Sequence, residues 1–134
     1  MATLRTHVRI SRPADEVWNV VSDAGSIADW FPALASSSAT ATTRHCDLVG
    51  GGSLDEEIVT NDEHLRRFQY RITDGLPVQD HLGTVDVLDD PDGTLVIYST
   101  EITPEELADQ VGPLIEDGVA GLKQHLENPD QQPS

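Results

Sequence analysis

Residues 17–32 read Val17-Trp18-Asn19-Val20-Val21-Ser22-Asp23-Ala24-Gly25-Ser26-Ile27-Ala28-Asp29-Trp30-Phe31-Pro32. They hold both tryptophans and one of the two phenylalanines of the 134-residue chain. Ala14, Val17, Trp18 and Val21 recur at helical spacing, which predicts a short amphipathic helix. Pro13 suits a first helical turn. Asp15 and Glu16 sit where the helix dipole favours acids. Ser22-Asp23-Ala24-Gly25 ends that helix. Ser26, with Asp29 three residues on, has the form of a capping box. A second short helix is therefore expected, with Ile27 and Trp30 on one face and Pro32 as its stop.

Working outward, Leu4, Thr6, Val8 and Ile10 alternate with Arg5, His7 and Arg9, the pattern of a half-buried strand. Downstream, residues 36–43 are small or β-branched and predict a short edge strand. Residues 44–49 and 54–60 predict two strands joined by the Gly50-Gly51-Gly52 turn. A turn at Asn61-Asp62-Glu63 leads to a strand over 65–73, where Phe68, Tyr70 and Ile72 share a face. Asp74-Gly75-Leu76-Pro77 breaks it. Strands over 81–88 and 94–102 flank Asp89-Asp90-Pro91-Asp92-Gly93, a strong turn signal. Successive strands with tight turns pair antiparallel. Thr103-Pro104-Glu105-Glu106 starts a helix. Its apolar stripe is Leu107, Val111, Leu114, Ile115, Val119, Leu122 and Leu126, with Gly112-Pro113 as a kink or split. Asn128-Pro129 ends it. One domain is expected over residues 1–128, followed by a polar, disordered tail over 129–134.

The formal charge is −16, from 24 acids against 8 bases, of which seven are Arg and one is Lys123. Such a balance opposes non-specific nucleic-acid binding and anionic membrane surfaces. No apolar run approaches the roughly 20 residues of a membrane span, so no membrane insertion is expected. MATLRTHVRI lacks a basic region followed by an apolar one, so no signal peptide is expected and the location is read as cytoplasmic. The single cysteine, Cys46, excludes an internal disulfide and a cysteine-cluster metal site.

The order of strand, two short helices, antiparallel meander and long closing helix resembles the START-like (SRPBCC) helix-grip superfamily. The motifs are similar to its polyketide cyclase/dehydrase-like branch. They are Val17-Trp18, Asp23, Trp30 and Pro32; then Arg44-x-Cys46, the glycine turn and Glu56; then Arg67, Tyr70 and Ile72. The resemblance spans about residues 4–127. It implies an α+β fold, β-α-α-β6-α, with about seven antiparallel strands in a curved sheet wrapped around the C-terminal helix. It also implies a cavity between sheet and helix for a lipid, a polyketide-like or another hydrophobic small molecule. The stretch between Pro32 and Arg44 is shorter than usual in that branch, so the second and third strands are expected to be trimmed. Tyr98 stands where many relatives carry Trp.

A register follows from the glycine turn. If Leu48 pairs with Gly52, Cys46 opposes Leu54 and Arg44 opposes Glu56, all facing the side of Leu48, Leu54 and Ile58. Continued through the next turn, Phe68 falls near Ile58 and Tyr70 near Glu56. Arg44, Glu56 and Tyr70 then form a polar cluster on an apolar wall. It is either a self-satisfied ion pair with a hydrogen-bonded Tyr or a ligand-orienting group. Trp30, Phe31 and Tyr98 are candidate walls at the cavity mouth, with the core as their other reading. His81 is a candidate acid or base, although its place beside a turn favours the surface. His7 and His45 are expected in solvent and Cys46 in the core. No zinc-binding His pair, nucleophile motif or phosphate loop is present, so no metal or cofactor is predicted. Three functions remain open: binding of a hydrophobic molecule; a cyclase, aromatase or dehydratase in which Tyr70 or His81 moves a proton; and an acidic protein-interaction domain. The ligand's identity and the oligomeric state are not fixed by the sequence.

Overall fold

The computed structural model describes residues 1–128. The predicted polar tail, 129–134, lies outside the described residues. The chain runs β1 (Ala2–Ile10), α1 (Ala14–Ser22), a 3-10 helix (Ala24–Asp29), β2 (Leu34–Ala39), β3 (Thr43–Leu48), β4 (Ser53–Asp62), β5 (Arg67–Asp74), β6 (Asp80–Asp90) and β7 (Gly93–Thr103). A short 3-10 turn (Glu105–Leu107) then leads into α2 (Ala108–Glu127). The seven strands form one antiparallel sheet in the order β1-β7-β6-β5-β4-β3-β2. This is the helix-grip arrangement that the sequence predicts. At six residues each, β2 and β3 are the shortest strands of the sheet.

Period-two alternation sets the inner face. Val85 and Val87 of β6, and Val96, Tyr98, Thr100 and Ile102 of β7, are buried, while the residues between them are more exposed. Against this face lies the buried stripe of α2: Val111, Ile115, Val119, Leu122 and Leu126. Burying such side chains contributes about 1.5–3 kcal/mol each, an upper estimate because the unfolded chain already hides some of that surface. Leu114 belongs to the same stripe by spacing yet is 37% exposed. Pro113 neither splits nor ends α2. The carbonyl it leaves without a helical partner belongs to Asp109, an exposed residue, so water can satisfy it.

The stretch around which the chain is read packs against this closing helix. A side chain at Gly118 would run into the Phe31 ring, and one at Gly121 into the Trp30 carbonyl oxygen. Two glycines one turn apart thus let α2 settle on Trp30-Phe31-Pro32. The far end of α2 is tied to β1 and the loop after it. Lys123 Nζ donates to the Arg9 carbonyl (2.6 Å), Arg12 Nε donates to the Leu126 carbonyl (3.0 Å), and the Ser11 amide donates to Glu127 (2.7 Å). β1 is an outer strand of the sheet, and Lys123 occupies one of its carbonyls. The expected second α-helix is instead a 3-10 helix without a side-chain cap on its backbone. Ser26 Oγ donates to the Asp23 carboxylate rather than forming a capping box with Asp29.

Candidate functional site

The Gly50-Gly51-Gly52 turn closes as its sequence requires. All three glycines have positive φ, and the Leu48 amide donates to the Gly52 carbonyl (2.9 Å). Cys46 therefore opposes Leu54 and Arg44 opposes Glu56, the predicted register. Both charged side chains point inward and are buried, and Arg44 Nε donates to Glu56 Oε1 at 2.5 Å. The guanidinium also lies over two rings, Phe68 at 5.1 Å and Tyr70 at 5.0 Å from their centroids. Its Nη1 donates to the Ala24 carbonyl (3.4 Å). Burial disfavours the charged guanidinium, but Glu56 and the two tyrosines outweigh it, and the pKa of Arg44 is raised. Burial pushes Glu56 up, and Arg44 pulls it part of the way back.

The next turn departs from the expected register. β4 runs on to Asp62, with irregularities after Asp55 and after Ile58, so Tyr70 opposes Ile58 and Ile72 opposes Glu56. Phe68 falls opposite Asn61 rather than Ile58. The shift is two residues at Tyr70 and three at Phe68, past the second irregularity of β4. Phe68 and Tyr70 still share a face because they are two apart on β5, and both are buried. What changes is the chemistry of Tyr70. It offers Arg44 its ring face, and its hydroxyl pairs with that of Tyr98. Burial pushes both phenols up, and they stay protonated at neutral pH. Gly83 makes room for this ring: a Cβ there would sit 2.5 Å from two Tyr70 ring carbons.

His81 is not at the surface, contrary to its expected place beside a turn; it is 3% exposed. β5 and β6 pair from Arg67↔Asp86 to Tyr70↔Gly83, and two residues further the same register would bring Ile72 opposite His81. The backbones have parted there, and the Ile72 amide donates to His81 Nδ1 (3.1 Å). The imidazole thus fills the gap between two strands. Burial, helped by Arg71, lowers its pKa to about 4. The sequence held the signal: His81 has the parity of Gly83, Val85 and Val87, all buried on one face. Cys46 is buried as expected, its thiol pushed up to about 12 by burial first and Glu56 second. His7 and His45 are exposed, also as expected.

These groups surround a partly open cavity of about 60 Å³ between the sheet, Phe31 and the first turns of α2. Ile27, Phe31, Leu54, Ile72, Leu76 and Ile115 supply apolar wall; Glu56, Tyr70, His81 and Tyr98 supply the polar groups. Leu48 and the half-exposed Leu114 also line it. Of the predicted site residues, Phe31, Glu56, Tyr70, His81 and Tyr98 meet on this cavity. Arg44 lies behind Glu56 and is not on the wall. Trp30 is buried core, stacked edge-on against Phe31 at 5.8 Å, and does not reach the cavity. A larger hollow of about 390 Å³, open to solvent, is bordered by Ser38, Thr43, Arg44, His45, Asp55 and Glu56, so Arg44 lines this hollow and Glu56 lines both. Among the described residues no group of three acids, histidines or cysteines could hold a metal ion, and no helix is long and apolar enough to cross a membrane.

Several solved structures share this architecture. The protein XoxI from Bacillus cereus is 25% identical, with a TM-score of 0.89 over 98% of this chain and 100% of that one. A START superfamily protein from Mycobacterium smegmatis is 15% identical, with a TM-score of 0.79 over 95% and 98% of the two chains. DynU16, a protein of the dynemicin biosynthetic locus, is 22% identical, with a TM-score of 0.75 over 95% of this chain and 48% of that one. No curated protein matches the chain. The family model for polyketide cyclase / dehydrase and lipid transport matches residues 1–127. Family and fold agree with ligand binding or cyclase-like chemistry. On the strand register, the gripped helix and a match over nearly its whole length, this chain belongs to the polyketide cyclase / dehydrase and lipid transport family.

Proposed function

We propose that the protein binds a hydrophobic small molecule, lipid or polyketide-like, in the cavity between the sheet and α2. The supporting observation is an apolar chamber on which a few polar groups, Glu56, Tyr70, His81 and Tyr98, converge. Phe31, Leu54 and Ile115 are its walls. The chamber, at about 60 Å³, is smaller than the roughly 300–1,000 Å³ of ordinary ligand pockets. Binding therefore widens it. Leu114, 37% exposed on α2, and Leu76, on the β5–β6 loop, line it on its solvent side.

The enzyme reading draws less support. Efficient acid–base catalysis needs a group whose pKa lies near the working pH. His81 is far below neutrality, both phenols are displaced upward, and Glu56, although raised by burial, is held by Arg44. A cyclase that only enforced a folded substrate conformation would need no such group.

The test is native mass spectrometry of freshly purified protein, with solvent extraction of anything bound, followed by thermal shifts with fatty acyl esters and aromatic polyketides. A co-purifying hydrophobic molecule, or a saturable rise in Tm that Leu54→Trp removes, supports binding. A clean protein mass with no shift from either class would defeat it.

A further inference from the structure

We propose that His81 is a fixed hydrogen-bond donor to the ligand, and that the cavity selects molecules bearing an uncharged acceptor, a ketone, ester or ether oxygen. This rests on the binding reading and narrows its ligand class.

The tautomer follows from one contact. A backbone amide can only donate, so the bond from the Ile72 amide to His81 Nδ1 requires a lone pair on Nδ1. The ring proton of the neutral imidazole is then on Nε2. Nε2 has no hydrogen-bond partner among the described residues, and His81 lines the cavity. The two tyrosines add to this. Their hydroxyls share one hydrogen bond, so whichever donates, the other keeps a proton to give. The chamber thus presents N–H and O–H donors from His81 and from the Tyr70–Tyr98 pair.

The ion pair beside it is turned so that an anion is unwelcome. Glu56 is on the cavity wall. The guanidinium holds Glu56 through Nε and the Ala24 carbonyl through Nη1 and lies over two aromatic faces; its Nη2 is buried without a hydrogen-bond partner among the described residues, and Arg44 is not on the cavity wall. A ligand carboxylate would meet the carboxylate end of the pair in a low-dielectric chamber, with the cation shielded behind it. An ammonium has no lone pair for the His81 N–H, and losing its water is not repaid by a Glu56 whose charge is already shared with Arg44, just as a carboxylate gains no free cation there. A carbonyl or ether oxygen fits both constraints. The same geometry makes His81 a poor general base, because the lone pair that would take a proton is already holding the Ile72 amide.

The experiment has two readouts on the full chain. Nitrogen-15 spectra of labelled histidine report the tautomer of His81 without any ligand. The Nε2–H form from pH 6 to 8 is expected; the Nδ1–H form would overturn the proposal. Titration then compares four probes of similar carbon skeleton: acetophenone, ethylbenzene, benzoate and 1-phenylethylamine. Acetophenone should bind roughly fivefold tighter than ethylbenzene, the size of one net hydrogen bond, and should move the His81 Nε2–H resonance. Benzoate and the amine should bind more weakly than ethylbenzene. His81→Phe should lower the ratio of acetophenone to ethylbenzene affinity, with Tyr98→Phe as the second variant that tests the share of the phenol pair. Equal binding of acetophenone and ethylbenzene, or a preference for either charged probe, would overturn the donor assignment and leave hydrophobic binding intact. If no probe binds, the binding reading itself fails and the proposal falls with it.

Discussion

Two ion pairs span the same two strands one residue apart. Arg44 faces Glu56 on the inner side of β3 and β4, at 2.5 Å; His45 faces Asp55 on the outer side, at 2.6 Å. The partners are almost equally close, and their surroundings are opposite. The inner side chains are 2% and 6% exposed, the outer ones 45% and 49%. Distance therefore says little about what either pair is worth. In the interior each charge has lost its water and depends on its partner. Outside, water competes for both charges and salt screens them. The inner pair is a commitment of the fold, while the outer pair is a property of its surface.

The largest expected effect comes from breaking the inner pair on one side only. Arg44→Leu leaves Glu56 buried with no cation and should cost about 3–5 kcal/mol in urea unfolding. For a domain with a total stability of about 5–15 kcal/mol, this leaves little margin. Arg44→Leu with Glu56→Leu should recover most of the loss, because both desolvation penalties vanish together. If the double variant is no more stable than the single one, the pair is worth more than its desolvation cost, and the contrast between the two faces lies in packing instead.

How much of this was legible in the sequence depends on what fixes each residue's position. The Arg44–Glu56 pairing was, because three glycines pin a tight turn and a turn pins register. Tyr70 against Glu56 was not. That step crossed β4, whose irregularities after Asp55 and Ile58 carry no Gly or Pro to announce them. The face survived because side chains alternate with period two. His81 carries two opposed signals, proximity to a turn and parity with Val85 and Val87, and parity decides its burial. Gly118 and Gly121 were passed over, since their use is visible only when Trp30-Phe31 lies on α2. The smallness of the cavity is a sum over many side chains from every element, and no local pattern encodes it.

His81 gives the next effect, and it sharpens the contrast with His45, since the two histidines shift in opposite directions. Burial holds the folded pKa of His81 at about 4 against an ordinary 6.5. A depressed value means the neutral ring is the one the fold prefers. That contribution is whole above pH 6.5 and is lost as the pH falls towards 4. The gap corresponds to about 3 kcal/mol. Near the ring are Arg71, which reinforces the shift, and Asp80, which opposes it. Glu56, Tyr70 and Tyr98 share the cavity with it. Urea unfolding at pH 7.5, 5.5 and 4.5 should show wild type losing more stability on acidification than His81→Phe. Parallel losses in the two proteins would mean that His81 titrates normally.

A smaller effect separates hydrogen bonding from charge on the inner face. Tyr98→Phe removes the hydroxyl that pairs with Tyr70 and keeps the ring packed near Phe31, 6.4 Å away. The cost should be about 1 kcal/mol, the net value of one buried hydrogen bond with some penalty for the stranded partner. A loss equal to that of Arg44→Leu would show the tyrosines and the ion pair to be one cooperative unit rather than neighbours.

The smallest effect belongs to the outer pair. His45 is bound on both ring nitrogens, by Asp55 through Nδ1 and by Asp47 through Nε2 at 3.1 Å. These bonds, Asp55 first, raise its pKa, so the imidazolium is favoured in the folded protein. A raised value places the benefit at low pH and removes it as the pH climbs through the folded pKa, the reverse of His81. With about half of each side chain in solvent, that benefit is weak. His45→Gln should leave Tm within measurement scatter at pH 7.5 and 150 mM salt. Only at pH 5.5 and low ionic strength should a small loss emerge. A clear drop in Tm at high salt would mean that His45, like His81, supports the backbone of its strand. The division between an inner face that stabilises and an outer face that only solvates would then fail at β3, where the two pairs sit side by side.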